Sequence, residues 1–322
     1  MVIKQMFHRL PPVTRRDAVI AALMAERGRP SFFYKLRESK RLRLLDAPED
    51  SPAPVWELND KAAGYAFARS HGVPIPRVYG QFAGAEEIDW DGVPDRFVVK
   101  VTCGTVAQAV WPLAADGDGY RDLLSGAPDV ISRADLTARV DDAMRADEPA
   151  TVLLEEFLPA PDDSPLSVPP DYKLHCFHGA VGMIAVIGRT QRAGRRLASR
   201  YFAPDGTDLG NAAADTLIDS RLPSPPHLDD LVAAGRTLSE AIRSPYVRID
   251  MYDTHQGICF GEITPDPGGN HVMRADVDRH LGELWEIAQH RLEQRAIGLG
   301  IRGPEYGPHG RDIVAPRARR RG

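Results

Sequence analysis

Apolar residues recur along this chain with two different spacings, and these divide it into helices and strands. A period near 3.6 predicts helices near 17–26, from Lys61 to about His71 behind the cap Asn59-Asp60, through Leu136, Val140 and Met144, through Leu228, Leu231, Val232, Gly235, Leu238 and Ile242, and over about 277–297. Short β-branched runs predict strands. RFVVKV and VAQAVWPL read as a hairpin closed by a tight turn at 102–105, and TVLLEEFL (151–158) as a buried strand. YKLHCF and AVGMIAVIG flank His178-Gly179, a pair suited to a two-residue turn; YVRIDMY and ICFGEIT flank the polar loop DTHQG. Pro- and Asp-rich stretches at 46–54 and 159–171 read as loops, and the basic run YKLRESKRLRLL as a solvated helical face. Hairpins interleaved with helices predict an α+β fold rather than a βαβ sheet.

Composition narrows the class. The 322 residues are 43% hydrophobic and 26% charged, with 28 Gly and 27 Pro, which excludes disordered and collagen-like chains and leaves room for two domains or two lobes. The formal charge is −5, but the last twelve residues carry a net +4, which leaves −9 on the rest. An acidic body argues against a nucleic-acid surface. Three separated cysteines without metal-ligand spacing suit a reducing cytoplasm. The longest apolar stretch, 180–188, falls far short of the ~20 residues that span a bilayer, so no membrane partner is expected.

Three places could carry chemistry. In the last hairpin, Asp250 and Glu262 sit in apolar runs on opposite strands; pairing Tyr252 with Ile258 or with Phe260 puts both carboxylates on one face. Two such neighbours need a cation, either a divalent metal such as Mg²⁺ or Arg248 on the same face, and spacing alone does not choose. Lys100 ends a strand beside a Gly/Thr turn that could hold phosphate oxygens, although an edge lysine commonly reaches to water. Asp171 and Lys173 open the middle hairpin and Arg189 ends its return strand, as a surface ion pair or as a cationic clamp. His175 and His178 lack a third ligand and read as structural. GxxxxGK[ST], GxGxxG, SxxK, HExxH and GxSxG spacings are absent, so no nucleophile stands out.

In order, Lys100 with its Gly turn, LLEEFL, DYKLHCFHG, Arg189 and RIDMY…FGEITPDPGG resemble the ATP-grasp superfamily, in particular the branch similar to the teichuronopeptide-biosynthesis protein, from about Asn59 to about Asp278. The resemblance implies two α+β lobes whose antiparallel sheets grip ATP: an N-terminal helical and mixed segment at 1–80, a small lobe at 81–158, a C-terminal lobe with the metal site at 159–300, and a flexible basic tail at 301–322. It implies that Lys100 and Lys173 hold ATP phosphates under a loop containing Gly104 and Thr105. Glu155, Glu156, Phe157 and Leu158 would form the strand that holds adenine. Asp250 and Glu262 resemble the Mg²⁺ ligands, and Thr264 stands where many relatives carry a metal-binding Asn. Arg189 would meet the transferred phosphate or acyl intermediate, with Lys173 the second catalytic cation. Pro267, Gly268 and Gly269 would receive the substrate carboxylate; the arginine-rich segment 191–200, with Arg200, reads from its own composition either as a site for an anionic acceptor or as a solvated loop. The activity implied is ATP-dependent ligation of a small carboxylate to an amine through an acyl phosphate, on an amino acid or small peptide in a pathway to a natural product or cell-surface polymer. The alternatives are a phosphotransferase and a non-catalytic nucleotide-binding module. The oligomeric state stays open, a homodimer among the options.

Overall fold

A computed structural model describes residues 30–46, 54–102, 109–124, 130–145, 150–160, 168–188, 198–213, 216–267 and 272–300. Helices α1 (Phe32–Asp46), α2 (Pro54–Glu57) and α3 (Lys61–Ser70) come first. Strands β1 (Val78–Phe82), β2 (Arg96–Val101), β3 (Val110–Asp116), β4 (Gly119–Asp122) and β5 (Val130–Ser132) follow, then α4 (Arg133–Arg145) and β6 (Val152–Glu156). The second half holds β7 (Asp171–Cys176), β8 (Val181–Gly188), β9 (Ala198–Phe202), β10 (Leu217–Ile218), α5 (Leu228–Ile242), β11 (Val247–Thr254), β12 (Gly257–Thr264) and α6 (Ala275–Gly298). Two six-stranded sheets result, ordered β1-β6-β2-β3-β4-β5 and β10-β9-β8-β7-β11-β12, antiparallel throughout except for the β9–β10 pair. The expected α+β class therefore holds.

Local chemistry explains the joints. Asp60 accepts a hydrogen bond from the Ala63 N–H (2.9 Å) and so caps α3, which ends before Gly72 at φ +75°. Between β7 and β8, His178 (φ 40°) and Gly179 (φ 86°) both lie in the left-handed region, as a primed two-residue turn requires. The first hairpin departs from expectation: β3 starts at Val110, beyond the span of a tight turn at 102–105. Residues 103–108 lie outside the described residues, as do the helix expected near 17–26, most of the 46–54 loop and the tail.

The second sheet is covered on both faces, which is why β8 is an unbroken apolar run. Its Ile184 and Val186 join a core under α3 and α5, and its alternating Met183, Ala185 and Ile187 join a core under α1 and α6. The first sheet packs one face on α4 through Phe97, Val99, Leu113 and Leu136. Its other face carries Val98, Lys100, Leu153 and Glu155 in register, turned toward the second sheet.

The basic run expected to be a solvated face is only partly so. It forms α1, whose Phe32 is fully buried against His175, Phe177, Tyr246 and Trp285, because α6 supplies a glycine where the two segments cross. A Cβ at Gly282 would lie 2.4 Å from the Ser31 backbone N. No helix among the described residues is long and apolar enough to cross a membrane. Gly282→Ala is expected to destabilise the protein by roughly 1–3 kcal/mol through overpacking at this crossing. Gly298→Ala, in open space at the far end of the same helix, is expected to be neutral or stabilising, and urea unfolding of both variants checks the contrast.

Candidate active site

One wall of the site is a row of charges on the second sheet. β11 lies between β7 and β12, and its register places Asp250 opposite Lys173 on one side and Glu262 on the other. Asp250 is buried and bonded to Lys173, whose ammonium also lies 3.6 Å from Asp171. Arg248, two residues away on the same face, donates to both Asp250 oxygens at 2.6 and 2.8 Å, to the Thr264 hydroxyl at 3.0 Å and to Glu262 at 3.4 Å. Burial alone would raise the Asp250 carboxyl; Arg248 and then Lys173 outweigh it and hold the group well below the usual carboxylate range. The Arg248 guanidinium, disfavoured by the same burial, is held charged by Asp250 and Glu262.

Both expected registers give way to a third. Asp250 does pair with Glu262, but Met251 then pairs with Phe260 and Tyr252 with Cys259, so Gly261 is left unpaired as a bulge. Only glycine fits there, since a Cβ would meet the Asp250 carbonyl oxygen at 2.9 Å. The bulge keeps Phe260 in the core with Met251 while turning Cys259 to the face of the carboxylates, where Tyr252 already stands two residues from Asp250.

The opposing wall comes from the first sheet. Lys100 is 4% exposed, so it does not reach to water; its Nζ lies 2.5 Å from Glu155 Oε1 and donates to the Tyr65 hydroxyl at 3.1 Å. Tyr65, on α3, in turn donates to Glu155 Oε2 at 2.6 Å. The rings of Tyr65 and Tyr252 each stand 5.8 Å from the ammonium, within cation–π range. Burial would strip the Lys100 proton, yet the Glu155 carboxylate more than compensates and holds its pKa well above the ordinary lysine value. Cys259 faces the same pocket of charge and its thiol is pushed up to about 12, by burial first and then by Glu155 and Glu156. Through Tyr65 and Tyr252 the two sheets meet around one buried cation.

The remaining expected residues fall into groups. Glu156 is half-buried and its N–H donates to the Arg77 carbonyl (2.9 Å); the Phe157 ring lies under the Arg96 guanidinium at 5.7 Å, and Leu158 follows past the end of β6. Arg200 is engaged away from the carboxylate row, by Asp208 at 2.9 Å and the Leu222 carbonyl at 2.7 Å. Pro267 is buried just beyond β12. Gly104, Thr105, Arg189, Gly268 and Gly269 lie outside the described residues. Sequence reasoning missed Tyr65, for which a tyrosine in a helical stripe offers no signal, and missed that Lys173 faces Asp250, which required knowing that β11 lies beside β7. In the sequence Arg248 stands only as the alternative to a metal. The Arg-x-Asp spacing was the available signal, since residues two apart in a strand share a face.

Could this wall hold Mg²⁺? Among the described residues no three His, Cys, Asp or Glu side chains group as a metal cage. Mg²⁺ is commonly held by one or two carboxylates together with substrate phosphates and water. Asp250 and Glu262 side by side, with Glu262 38% exposed and the Thr264 hydroxyl 3.3 Å from it, are a hard oxygen set of that kind.

Lys100 and Glu155 give a direct stability test. Lys100→Met strands a buried carboxylate and is expected to cost about 3–5 kcal/mol, whereas Lys100→Met with Glu155→Gln is expected to recover much of that loss. Urea unfolding of the two single variants and the double variant measures the coupling; additive losses would mean the pair does not interact.

Residues 39–286 match the TupA-like ATPgrasp family. Among solved structures, the chain is similar to the VanG D-Ala:D-Ser ligase from Enterococcus faecalis, at 14% identity and TM-score 0.45 over 73% of this chain and 62% of that one. It is also similar to the D-alanine–D-alanine ligase from Bacillus anthracis complexed with ATP (15%, TM-score 0.44, 74% and 66%) and to the ATP-grasp ligase PsnB complexed with minimal precursor (13%, TM-score 0.43, 73% and 61%). The chain thus spans less than two thirds of the length of each. No curated protein matches it. With the family matched over most of its length, the chain belongs to the TupA-like ATP-grasp proteins.

Proposed function

We propose that this protein is an ATP-dependent carboxylate–amine ligase working through an acyl phosphate. The observation that carries the reading is that Tyr252, two residues from Asp250 on the same strand, stands 5.8 Å from the Lys100 ammonium, which brings Lys100 with Glu155 of one sheet beside the row of Lys173, Arg248, Asp250 and Glu262 on the other. Phosphoryl transfer demands positioning and charge neutralisation rather than a protein nucleophile. Burial holds the thiols of Cys176 and Cys259 protonated, so neither is poised for attack.

In this reading 81–158 is the small lobe, 159–300 the C-terminal lobe, 1–80 a preceding segment and 301–322 a tail, with ATP between the lobes. Adenine lies along Glu155 to Leu158, and Gly104 and Thr105 cover the phosphates. Asp250 and Glu262 would hold Mg²⁺, which when bound offsets phosphate charge. Lys100 is kept protonated by Glu155 and oriented by the Tyr65 hydroxyl, so a fixed positive charge meets the phosphates. Lys173 is held over Asp250 and supplies the second cation, from the opposite wall. Arg248 keeps Asp250 ionised and aligns Glu262 through Thr264. Arg189, Pro267, Gly268 and Gly269 face the carboxylate substrate, with Arg200 at the margin. The substrates are a small carboxylate, such as an amino acid or short peptide, and an amine, in a biosynthetic pathway to a natural product or cell-surface polymer. Dependence on ATP suits a cytoplasmic protein.

Isotope transfer separates this chemistry from a phosphotransferase on the same fold. With ¹⁸O in the carboxylates of a panel of amino acids and dipeptides, a ligase forms ADP and phosphate in equal amounts and moves label into the phosphate. A stable phosphorylated product with no released phosphate would replace ligation by phosphoryl transfer.

A further inference from the structure

Helix α1 carries two cations that the proposed reaction leaves unused. Lys40 and Arg43 stand three residues apart on one helical face and reach the chain just past β12, 227 and 223 residues away. The Lys40 ammonium lies 3.0 Å from Asp266 Oδ1, as an ion pair off the hydrogen-bond axis, and donates an aligned bond to the Pro267 carbonyl at 3.0 Å. Arg43 donates to Asp266 Oδ2 at 3.1 Å while its guanidinium lies 4.3 Å over the Trp56 ring.

An ordinary surface ion pair contributes little. This contact differs in three respects. The Asp266 side chain is only 12% exposed, two cations serve one carboxylate, and the bond to a backbone carbonyl fixes direction as well as charge. Nor can α1 drift with the segment it grips. Its other end is locked by Phe32, by the Phe33 N–H donating to Asp278 (2.8 Å) and by the backbone crossing at Gly282. The gripped residues follow Thr264 by two and three positions, and Thr264 belongs to the Arg248–Glu262 cluster.

We propose that Lys40 and Arg43 are positioning residues: α1 is a rigid strut that holds Asp266 and Pro267, and through them the end of β12 that forms the carboxylate-substrate side of the cleft. The kinetic part of this inference rests on the ligase reading; the structural part does not.

The full-length variant Lys40→Met with Arg43→Met tests it by hydrogen exchange, by Mg-ATP titration and by hydroxamate formation. In the last assay hydroxylamine is the amine and the same panel of amino acids and dipeptides, pooled, supplies the carboxylates. Exchange is expected to rise about tenfold at the amides of Glu262, Ile263, Thr264 and Asp266 while β2 and β6 stay unchanged and Mg-ATP affinity stays within about twofold. Half-saturation by the carboxylate mixture is expected to rise about tenfold with the saturated rate little altered. Lys40→Arg with Arg43→Lys, which keeps both charges, is expected to behave as wild type, and Asp266→Asn to repeat the local loosening from the other side. Unchanged exchange at the amides of Glu262, Ile263, Thr264 and Asp266, or an equal rise over both sheets in Lys40→Met with Arg43→Met and in Asp266→Asn alike, overturns the strut. If the wild-type protein forms no hydroxamate, the ligase reading fails and the exchange pattern alone decides the strut.

Discussion

Charges taken out of water must find partners, and this protein buries several on its two sheets. Lys100, Glu155, Asp250 and Arg248 would each be costly alone, by several kcal/mol in a protein interior. Each is instead held by at least one opposite charge, and the neutral hydroxyls of Tyr65 and Thr264 occupy remaining hydrogen-bonding positions. Such an arrangement tolerates little displacement. It therefore requires the strands that carry it to be fixed in register, and the rest of the fold supplies that.

The second sheet meets the requirement by being covered on both faces. Core packing under α3 and α5 and under α1 and α6 fixes the strands on which Lys173, the buried Asp250 and the partly exposed Glu262 stand in a row. The Gly261 bulge is the local adjustment that lets the hydrophobic residues Met251 and Phe260 stay inside while Cys259 joins Tyr252 on the charged face. Helix α3 then ties the sheets together, since its Tyr65 touches Glu155 of one and the Phe260 ring, 5.9 Å away, of the other. Cleft geometry and core packing are thus set by the same few residues.

Much of this was legible in the sequence because hydrophobic period and turn chemistry are local. The His178-Gly179 turn, the Asp60 cap and the amphipathic faces of α5 and α6 each follow from neighbouring residues. What escaped depends on which strands become neighbours. The Lys173–Asp250 pair follows from β11 lying beside β7, and the Lys100–Glu155–Tyr65 triad from three segments far apart in the chain. Glycine inside the run ICFGEIT was a signal for a bulge, but its position fixes the register only once the core side of each strand is known. The basic run in α1 misled because its charges outnumber the one aromatic, Phe32, that anchors it.

At the centre stands the claim that the wall of Asp250 and Glu262 receives a metal ion carried with the nucleotide, while the lysines bind phosphates without it. Titration calorimetry of ATP with and without Mg²⁺, on the wild type and on Glu262→Gln, examines this without knowledge of the substrate. Mg²⁺ is expected to tighten ATP binding to the wild type by about tenfold or more, near 1.4 kcal/mol. Glu262→Gln is expected to lose this increment while its Mg²⁺-free affinity is unchanged. An increment of the same size in both proteins would contradict that claim and return Asp250 and Glu262 to a purely structural pairing with Arg248.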